Sequence, residues 1–253
     1  MAKIISFANQ KGGVGKTTTA INISAAMGRL GKKVLLVDMD PQGNATAGLG
    51  ITKNKLTVSV YDALIEKTDT KSVIHKTKFT NLSIMPSNIL LAGAELDLSQ
   101  MENQALCAKK MLAPVLDDYD YIFIDCPPAL GLLTVNALAA SDGIIIPMQC
   151  EYYALEGLSQ LMLTVRKVRQ LYNPALDITG ILLTMYNKQL LLTKQVKAEI
   201  NKYYEEKLFK NEISRSVKLS EAPSFGKPIC YYSRYNKGAL EYQAVAKEIL
   251  LRI

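Results

Sequence analysis

The residues best suited to chemistry lie in a glycine-rich stretch near the start of the chain, residues 9–18. It reads Asn-Gln-Lys-Gly-Gly-Val-Gly-Lys-Thr-Thr, and its glycines allow the backbone to approach a phosphate and to aim several N–H groups at it. In a loop of this kind Lys16 reaches the β- and γ-phosphates and the Thr17 hydroxyl holds Mg²⁺. Gln10 stands where the usual pattern has glycine, and Lys11 adds a second cation. The stretch therefore predicts a variant phosphate-binding loop.

Three carboxylates follow apolar runs farther along the chain. Asp38 and Asp40 come after the run 34–37, and Asp125 comes after the run 121–124. Because the carboxyl ends of parallel strands meet at one edge of a sheet, we expect these side chains to converge on the glycine-rich loop. A carboxylate there can hold a water on Mg²⁺, although each one alone is also typical of a turn or a helix cap. Together with the loop they predict a nucleotide–magnesium site.

Short apolar runs alternate with stretches of helical spacing along the whole chain. The apolar runs predict strands at 4–8, 34–37, 82–85, 121–124, 143–147 and 178–184. The helical spacing predicts helices at 17–30, near 93–116, 131–140, 153–172 and 193–208, and at 242–253. Strands that are apolar on both faces predict an α/β fold, a mostly parallel twisted sheet with helices on both faces. No linker or repeat interrupts the pattern, so we expect residues 1–253 to form a single domain.

Composition excludes several classes of protein. Of the 253 residues, 49% are hydrophobic and 21% are charged, which is ordinary for a folded chain and excludes a disordered one. No apolar run reaches the ~18 residues of a membrane helix, and the apolar stretch after Met1 is too short for a signal peptide. The four cysteines contain no C-x-x-C pair, which argues against zinc, iron–sulfur and disulfide frameworks and predicts a cytoplasmic protein.

Positive charge is concentrated in the last third of the chain. Residues 185–253 carry 13 lysines and arginines against 7 acidic residues, whereas residues 101–184 carry 5 against 9. This distribution is compatible with an anionic polymer as a partner, and also with a solvated lysine-rich surface. Sparse lysines and arginines of this kind suit phosphate contacts, which are sequence-tolerant and weakened by salt.

These motifs resemble those of the ParA/MinD ATPases. The stretch at 11–18 is similar to the deviant Walker A loop of that P-loop NTPase superfamily, and residues 38–44, 125–128, 151–157 and 219–224 resemble its ParA/Soj branch. The resemblance covers nearly the whole chain. It implies a slow ATPase that binds ATP and Mg²⁺, closes into a sandwich homodimer and then binds double-stranded DNA non-specifically. It also implies that a ParB-type partner stimulates hydrolysis, that chromosomes or plasmids are segregated, and that the ATP-bound protein is associated with the nucleoid.

The same resemblance implies roles for individual residues. Lys11 matches the lysine that crosses the dimer interface to the phosphates of the other subunit, and Asp40 matches the carboxylate that positions the attacking water. Thr17 matches the Mg²⁺ ligand, with Asp125 supporting the metal and Asp38 near it. Lys11, Lys16 and Asp40 are accordingly the expected catalytic residues. The phosphate cradle is matched by Lys11, Gly12, Gly13, Val14, Gly15, Lys16, Thr17 and Thr18.

Two regions depart from the family's pattern. Ser214 and Ser216 stand where a proline and an asparagine commonly frame the adenine. A DNA-contacting arginine of Soj-like proteins aligns with Gln189, and Lys218 matches a second basic contact position. With the basic neighbours of these two positions included, DNA contacts are expected at Lys188, Arg215 and Lys218.

Three alternatives share the predicted fold. A MinD-like regulator of division would need a terminal helix that lies on lipid, but 242–253 offers only Lys247 and Arg252 as basic residues, so we expect it to dock on the core and expect no membrane partner. A cluster-carrying ATPase would need interface cysteines, whereas Cys126 is expected to be a small buried filler. A tyrosine kinase of this fold would carry a terminal tyrosine cluster, which the sequence lacks.

Overall fold

A seven-stranded sheet organises residues 1–151 and 154–253, the part of the chain that the computed structural model describes. The strands are β1 (Lys3–Phe7), β2 (Val34–Asp38), β3 (His75–Lys76), β4 (Leu82–Met85), β5 (Tyr121–Asp125), β6 (Gly143–Gln149) and β7 (Asp177–Thr184). Their order across the sheet is β3-β4-β2-β5-β1-β6-β7, and β3 runs antiparallel to β4 whereas the other neighbours are parallel. The predicted mostly parallel α/β sheet is confirmed.

Helices cover both faces of this sheet. They are α1 (Lys16–Arg29), α2 (Asn44–Gly48), α3 (Val60–Leu64), α4 (Thr70–Val73), α5 (Ala94–Ser99), α6 (Cys107–Leu112), α7 (Leu132–Ala140), α8 (Ala154–Leu171), α9 (Leu191–Tyr204), α10 (Val217–Glu221), α11 (Ile229–Tyr232) and α12 (Lys237–Arg252). One apolar core lies between the sheet and α5 to α9, and the other lies between the sheet and α1, α11 and α12. Because both faces are covered, β2 is buried along its whole length.

Two predicted helices differ from those observed. The helix expected near 93–116 is interrupted between α5 and α6, where Asn103 has a φ of +56°, a left-handed conformation that a right-handed helix cannot contain. The last helix begins at Lys237 instead of 242, because the Asn236 side chain caps its N-terminus by accepting a 2.9 Å hydrogen bond from the Gly238 N–H. The helix expected at 153–172 is observed as α8 from Ala154, and residue 153 lies outside the described residues.

The last helix docks on the core, as predicted. Tyr242, Val245, Ala246 and Ile249 of α12 are buried, and the Tyr242 hydroxyl lies 3.1 Å from the Thr19 hydroxyl of α1. Among the described helices, none combines the length and the apolar character that crossing a bilayer requires.

The three central strands β1, β2 and β5 end at the same level. Asp125 at the end of β5 is in register with Phe7 of β1 on one side and with Asp38 of β2 on the other. The loops that follow these strands therefore leave from one edge of the sheet, which is where parallel sheets bind ligands.

Candidate nucleotide-binding site

The loop between β1 and α1 is held in place from two neighbouring strands. The Asn9 side chain donates a 2.8 Å hydrogen bond to the Pro147 carbonyl of β6 and accepts a 3.0 Å bond from the Lys11 N–H. On the other side, the Thr184 hydroxyl at the end of β7 donates a 2.7 Å bond to the Val14 carbonyl. The loop is thus built against rigid elements before any ligand arrives, which lowers the entropic cost of binding one.

Glycine conformations shape the loop and leave the start of α1 open. Gly13 and Gly15 have φ values of +76° and +86°, in the region that side-chain-bearing residues rarely adopt. In the described structure no side chain caps the N-terminus of α1, and no acidic residue occupies its first turn. The unsatisfied N–H groups and the positive end of the helix dipole therefore face the loop opening, which is an arrangement that binds phosphate.

Lys16 is a buried cation at this opening. Its side chain is only 6% exposed, and its ammonium donates a 3.1 Å hydrogen bond to the Lys11 carbonyl inside the loop. Burial lowers the pKa of Lys16, while the carboxylates of Asp125 and Asp40 oppose that shift. A partly desolvated ammonium interacts strongly with an anion, because little water remains to screen it.

Asp125 presents an unpartnered carboxylate beside Lys16. It is fully buried, and neither of its carboxylate oxygens has a hydrogen-bond partner among the described residues. Burial and then the nearby Asp38 carboxylate raise the pKa of Asp125 well above its ordinary value, against the opposing effects of the Thr17 hydroxyl and the Lys16 ammonium. A buried carboxylate without partners is costly unless a cation neutralises it.

These oxygen atoms fit a magnesium ion. The Thr17 hydroxyl and the Asp125 carboxylate are hard oxygen donors, the type that Mg²⁺ prefers. The described residues contain no group of three or more His, Cys, Asp or Glu side chains that could hold a metal by themselves. That suits Mg²⁺, which usually keeps several waters and shares its remaining coordination with substrate phosphates.

Asp38 holds the start of α2 in place through hydrogen bonds. Its carboxylate accepts a 2.8 Å bond from the Thr46 N–H, a 2.7 Å bond from the Thr46 hydroxyl and a 3.3 Å bond from the Asp40 N–H. It therefore caps the first turn of α2. Burial raises the pKa of Asp38 to about 6, although the hydrogen bonds from Thr46 hold it lower than burial alone would. Its predicted place near the metal stays a prediction.

Asp40 lies at the same edge with one oxygen engaged by its own loop. The side chain is 7% exposed and accepts a 2.9 Å hydrogen bond from the Gln42 N–H. The backbone is fixed as well, because the Ser87 hydroxyl donates a 2.8 Å bond to the Asp40 carbonyl. A carboxylate held in this way keeps one oxygen for a water molecule, and its predicted role in hydrolysis stays a prediction.

A cavity of about 410 Å³ adjoins the phosphate loop. It is lined by Gly15, Thr18, Thr184, Met185, Ile213, Ser214, Arg215, Ser216, Leu219, Ser220, Pro223 and Tyr242. Both serines expected to frame the adenine thus line one cavity that begins at the loop. The N–H of Ser214 donates a 2.8 Å bond to the Glu241 carboxylate, and the Ser214 hydroxyl donates to the same group. Glu241 therefore fixes the extended segment that forms one wall of this cavity.

Lys11 lies on the outer side of the loop. Its side chain is 39% exposed and forms an ion pair with Glu151. An exposed pair of this kind contributes little to stability, so its lysine can exchange partners readily. Glu151 begins the stretch 151–157 that resembles the ParA/Soj branch, and residues 152 and 153 of that stretch lie outside the described residues.

The three basic residues expected to contact DNA lie on the surface next to the cavity. Lys188, Arg215 and Lys218 are all exposed. Tyr186 and Ser214 form a parallel backbone bridge, which brings the turn that carries Lys188 beside the segment that carries Arg215. Lys218 is paired with Glu221 through a 2.8 Å contact. Arg215 also lines the cavity, which its place in the sequence pattern did not indicate.

Several residues that build the site could not be recognised from the sequence. Thr184 bonds the loop across 170 positions and Glu241 bonds Ser214 across 27, so no local spacing reveals either contact. Gln149 likewise supports the loop from outside its motif, by donating a hydrogen bond to the Gly13 carbonyl. Asn9 lies within the motif, but its bond to the Pro147 carbonyl spans 138 positions. The short-range signals are the glycines, the lysines and Thr17 of the loop, and the carboxylates that follow the apolar runs.

Known proteins resemble this chain over its whole length. A family profile described as an AAA domain matches residues 2–178. The chain is 53% identical over 249 residues to the sporulation initiation inhibitor protein Soj of Bacillus subtilis, covering 98% of each chain. It is 48% identical over 252 residues to the chromosome-partitioning ATPase Soj of Treponema pallidum, covering 100% of this chain and 98% of that one.

A solved structure of the same fold contains a nucleotide and a metal. Cobyrinic acid a,c-diamide synthase from Mycobacterium smegmatis, with a bound ATP analogue and magnesium, matches with a TM-score of 0.87 and 36% identity. The match covers 99% of this chain and 95% of that chain. The P-loop NTPase fold expected from the loop motif is therefore confirmed.

Proposed function

The chain belongs to the ParA/Soj family of chromosome-partitioning ATPases, and from this premise we propose that ATP-driven dimerisation lets it bind DNA and segregate a chromosome or plasmid. It is an ATPase that uses ATP and Mg²⁺. Residues 1–253 would act as one ATPase domain. A ParB-type partner would stimulate the otherwise slow hydrolysis, and the ATP-bound dimer would be associated with the nucleoid.

The observation that carries this proposal is the buried pair of opposite charges at the loop opening. Lys16 is desolvated and the Asp125 carboxylate has no hydrogen-bond partner among the described residues. Each group is costly in isolation, and together they suit a triphosphate on one side and a divalent cation on the other. In a purely structural ion pair, the Lys16 ammonium would donate a hydrogen bond directly to the Asp125 carboxylate. Because it does not, ligand binding explains this arrangement better.

The geometry supports separate roles for these residues during hydrolysis. The loop N–H groups and the Lys16 ammonium bind the phosphates, and Thr17 and Asp125 would hold Mg²⁺. When bound, Mg²⁺ neutralises charge that develops on the phosphate oxygens. Asp40 orients the attacking water through its second carboxylate oxygen. Positioning and charge neutralisation of this kind account for most of the catalysis of phosphoryl transfer.

Dimerisation is proposed to depend on Lys11. One phosphate chain needs one lysine, and Lys16, whose ammonium bonds the Lys11 carbonyl inside the loop, would fill that role. Lys11 instead projects outward, where its side chain is 39% exposed and forms an ion pair with Glu151. Two nucleotides that face each other across an interface bring many negative charges together. A lysine from each subunit would offset that repulsion and make closure depend on ATP.

DNA binding is proposed for the surface that carries Lys188, Arg215 and Lys218. These side chains are exposed next to the cavity that adjoins the phosphate loop. Lysine and arginine side chains of this kind suit contacts to the phosphates of DNA. The test is a DNA-binding assay with ATP, with ADP and without nucleotide. We expect binding with ATP alone, and we expect Lys188→Glu with Lys218→Glu to abolish it while ATP affinity is retained.

Arg215 requires a separate variant because it lines the cavity as well as the surface. A matched control is Lys109→Glu with Lys110→Glu, which reverses two exposed lysines on α6. If the variant Lys188→Glu with Lys218→Glu and this control have equal DNA affinity, the proposal that DNA binds at this surface is contradicted. Equal affinity of the wild type in all three nucleotide conditions would contradict the proposed coupling to ATP.

A further inference from the structure

Exposed aromatic and basic side chains are concentrated just before α12. Tyr235 is 83% exposed and Phe225 is 61% exposed. The Arg234 guanidinium lies 5.6 Å from the centroid of the Tyr235 ring, within the range of a cation–π contact. The aromatic–basic patch, defined here as Phe225, Tyr232, Arg234 and Tyr235, therefore presents a cation and flat apolar surfaces together.

This patch is continuous with the basic residues beside the cavity that adjoins the phosphate loop. The Phe225 ring stacks on the Tyr232 ring with centroids 5.0 Å apart, and the Lys218 ammonium lies 5.7 Å from the same Tyr232 ring. The Ser216 hydroxyl lies 3.3 Å from the Asn236 side-chain oxygen, next in sequence to Tyr235. The patch thus extends the surface of Arg215 and Lys218 toward the start of α12.

Arg234 differs from Lys218 and Lys237 in its charge pairing. Lys218 is paired with Glu221, and Lys237 is paired with Glu241. Within the described residues Arg234 forms no ion pair, and its guanidinium rests against the Tyr235 ring. An arginine that is exposed and uncompensated attracts an anion, and an adjacent aromatic ring adds contact area that phosphate binding alone does not use.

We propose that Arg234 and Tyr235 form a further DNA contact, in which Arg234 binds a backbone phosphate and the Tyr235 ring packs against the neighbouring sugar and base edge. This inference rests on the proposed function. It assigns two different physical contributions to adjacent residues. The arginine contact releases counterions and so depends on salt, whereas the tyrosine contact is apolar and does not.

The salt dependence of DNA affinity separates these contributions. The wild type and the variants Arg234→Gln and Tyr235→Ala are titrated with a mixed-sequence DNA duplex in a non-hydrolysable ATP analogue, over a series of salt concentrations. We expect Arg234→Gln to weaken binding and to reduce the slope of log affinity against log salt by about 0.9 for each DNA phosphate that is no longer neutralised. We expect Tyr235→Ala to weaken binding about five- to tenfold at every salt concentration, with the slope unchanged.

Matched controls are available on α8 and α9. Arg169→Gln removes an exposed arginine of α8, and Tyr203→Ala removes a 73% exposed tyrosine near the end of α9. Both controls should bind DNA as the wild type does. All four side chains are exposed, so the variants should fold, and unchanged thermal unfolding with retained ATP affinity checks this.

The outcomes distinguish the inference from the function on which it rests. If Lys188→Glu with Lys218→Glu loses DNA binding while Arg234→Gln and Tyr235→Ala bind as the wild type does, only the inference is overturned. If the wild type binds no DNA, both fail. If the two variants instead reduce sedimentation with vesicles that contain phosphatidylserine and leave DNA affinity unchanged, the patch contacts lipid and the inference is overturned.

Discussion

At the scale of single residues, the site combines buried ionisable groups that a bound nucleotide and Mg²⁺ would neutralise. Asp40 is the clearest case for a catalytic test, since its carboxylate is anchored through one oxygen to the Gln42 N–H. Asp40→Ala should leave ATP binding intact, because the loop N–H groups and the Lys16 ammonium, which are the proposed phosphate ligands, are retained. It should lower turnover about 10²–10⁴-fold, the usual contribution of a group that positions water, and should trap the ATP-bound dimer.

Phosphate release and sedimentation together measure this prediction. Asp40→Asn is the matched variant, because it keeps the acceptor for Gln42 and removes only the charge. Normal hydrolysis by Asp40→Ala would mean that a different residue positions the water.

The buried carboxylates also predict how stability depends on pH in the nucleotide-free protein. Burial raises the pKa of Asp38 to about 6, above the value near 3.9 of an unfolded chain, so the folded state binds more protons than the unfolded state between these values. The free energy of unfolding therefore falls as the pH rises through this window, by about 3 kcal/mol at most from Asp38. The raised pKa of Asp125 adds to the fall.

Urea unfolding at a series of pH values tests this sign. Asp38→Asn should flatten the dependence between about pH 4 and pH 6, because an amide oxygen still accepts the bonds from Thr46 but does not ionise. Stability that rises over this window in the wild type and falls in the variant would contradict the prediction.

At the scale of elements, α12 supports one wall of the cavity that adjoins the phosphate loop. Glu241 accepts hydrogen bonds from both the backbone and the side chain of Ser214, and only 17% of its side chain is exposed. Glu241→Ala should leave the Ser214 N–H without its partner and loosen this wall. We expect ATP affinity to fall about tenfold, whereas affinity for inorganic triphosphate should be unchanged, because the phosphate loop is held by other contacts.

Calorimetric titrations with both ligands distinguish these effects. Lys237→Ala is the control. The Lys237 side chain is 74% exposed, and its removal takes away the ion-pair partner of Glu241 but keeps the bonds from Glu241 to Ser214. An equal loss of affinity for ATP and for triphosphate in Glu241→Ala would indicate a general loss of structure.

The elements also explain how far the sequence could predict this molecule. Buried strands and long helices such as α1 and α8 contain enough apolar repeats to be recognised, and the glycines and lysines of the phosphate loop are adjacent in sequence. The helices α2, α3 and α4 span only four or five residues, which is too short for a helical period to appear. Glu241 and Thr184 reach the site only through tertiary contacts, so their roles could not be predicted.

At the scale of the whole molecule, the fold places the proposed DNA surface and the proposed dimer contact around one nucleotide. Lys11 lies on the outer side of the phosphate loop, and Arg215 lines the cavity that adjoins the same loop. A nucleotide in this site would touch both regions. We therefore propose that ATP controls association and DNA binding through direct contact with both regions, without a long path through the core.

The two lysines of the loop should separate binding from association. Lys16→Ala removes the buried ammonium that faces the phosphates, so both ATP affinity and dimerisation should be lost. Lys11→Ala removes only an exposed side chain, so some ATP affinity should remain while dimerisation and hydrolysis fail. Sedimentation velocity in a non-hydrolysable ATP analogue should then show a dimer for the wild type and a monomer for Lys11→Ala.

Two controls make this last prediction specific to the position of Lys11. Lys71→Ala removes another lysine that holds an exposed ion pair, in this case with Asp118 at 2.8 Å, and should dimerise normally. Glu151→Ala removes the partner of Lys11 within the same chain and should dimerise at least as well as the wild type, because the lysine no longer has to leave an ion pair. A dimer of Lys11→Ala with wild-type stability would show that the loop binds its nucleotide without help from a second subunit.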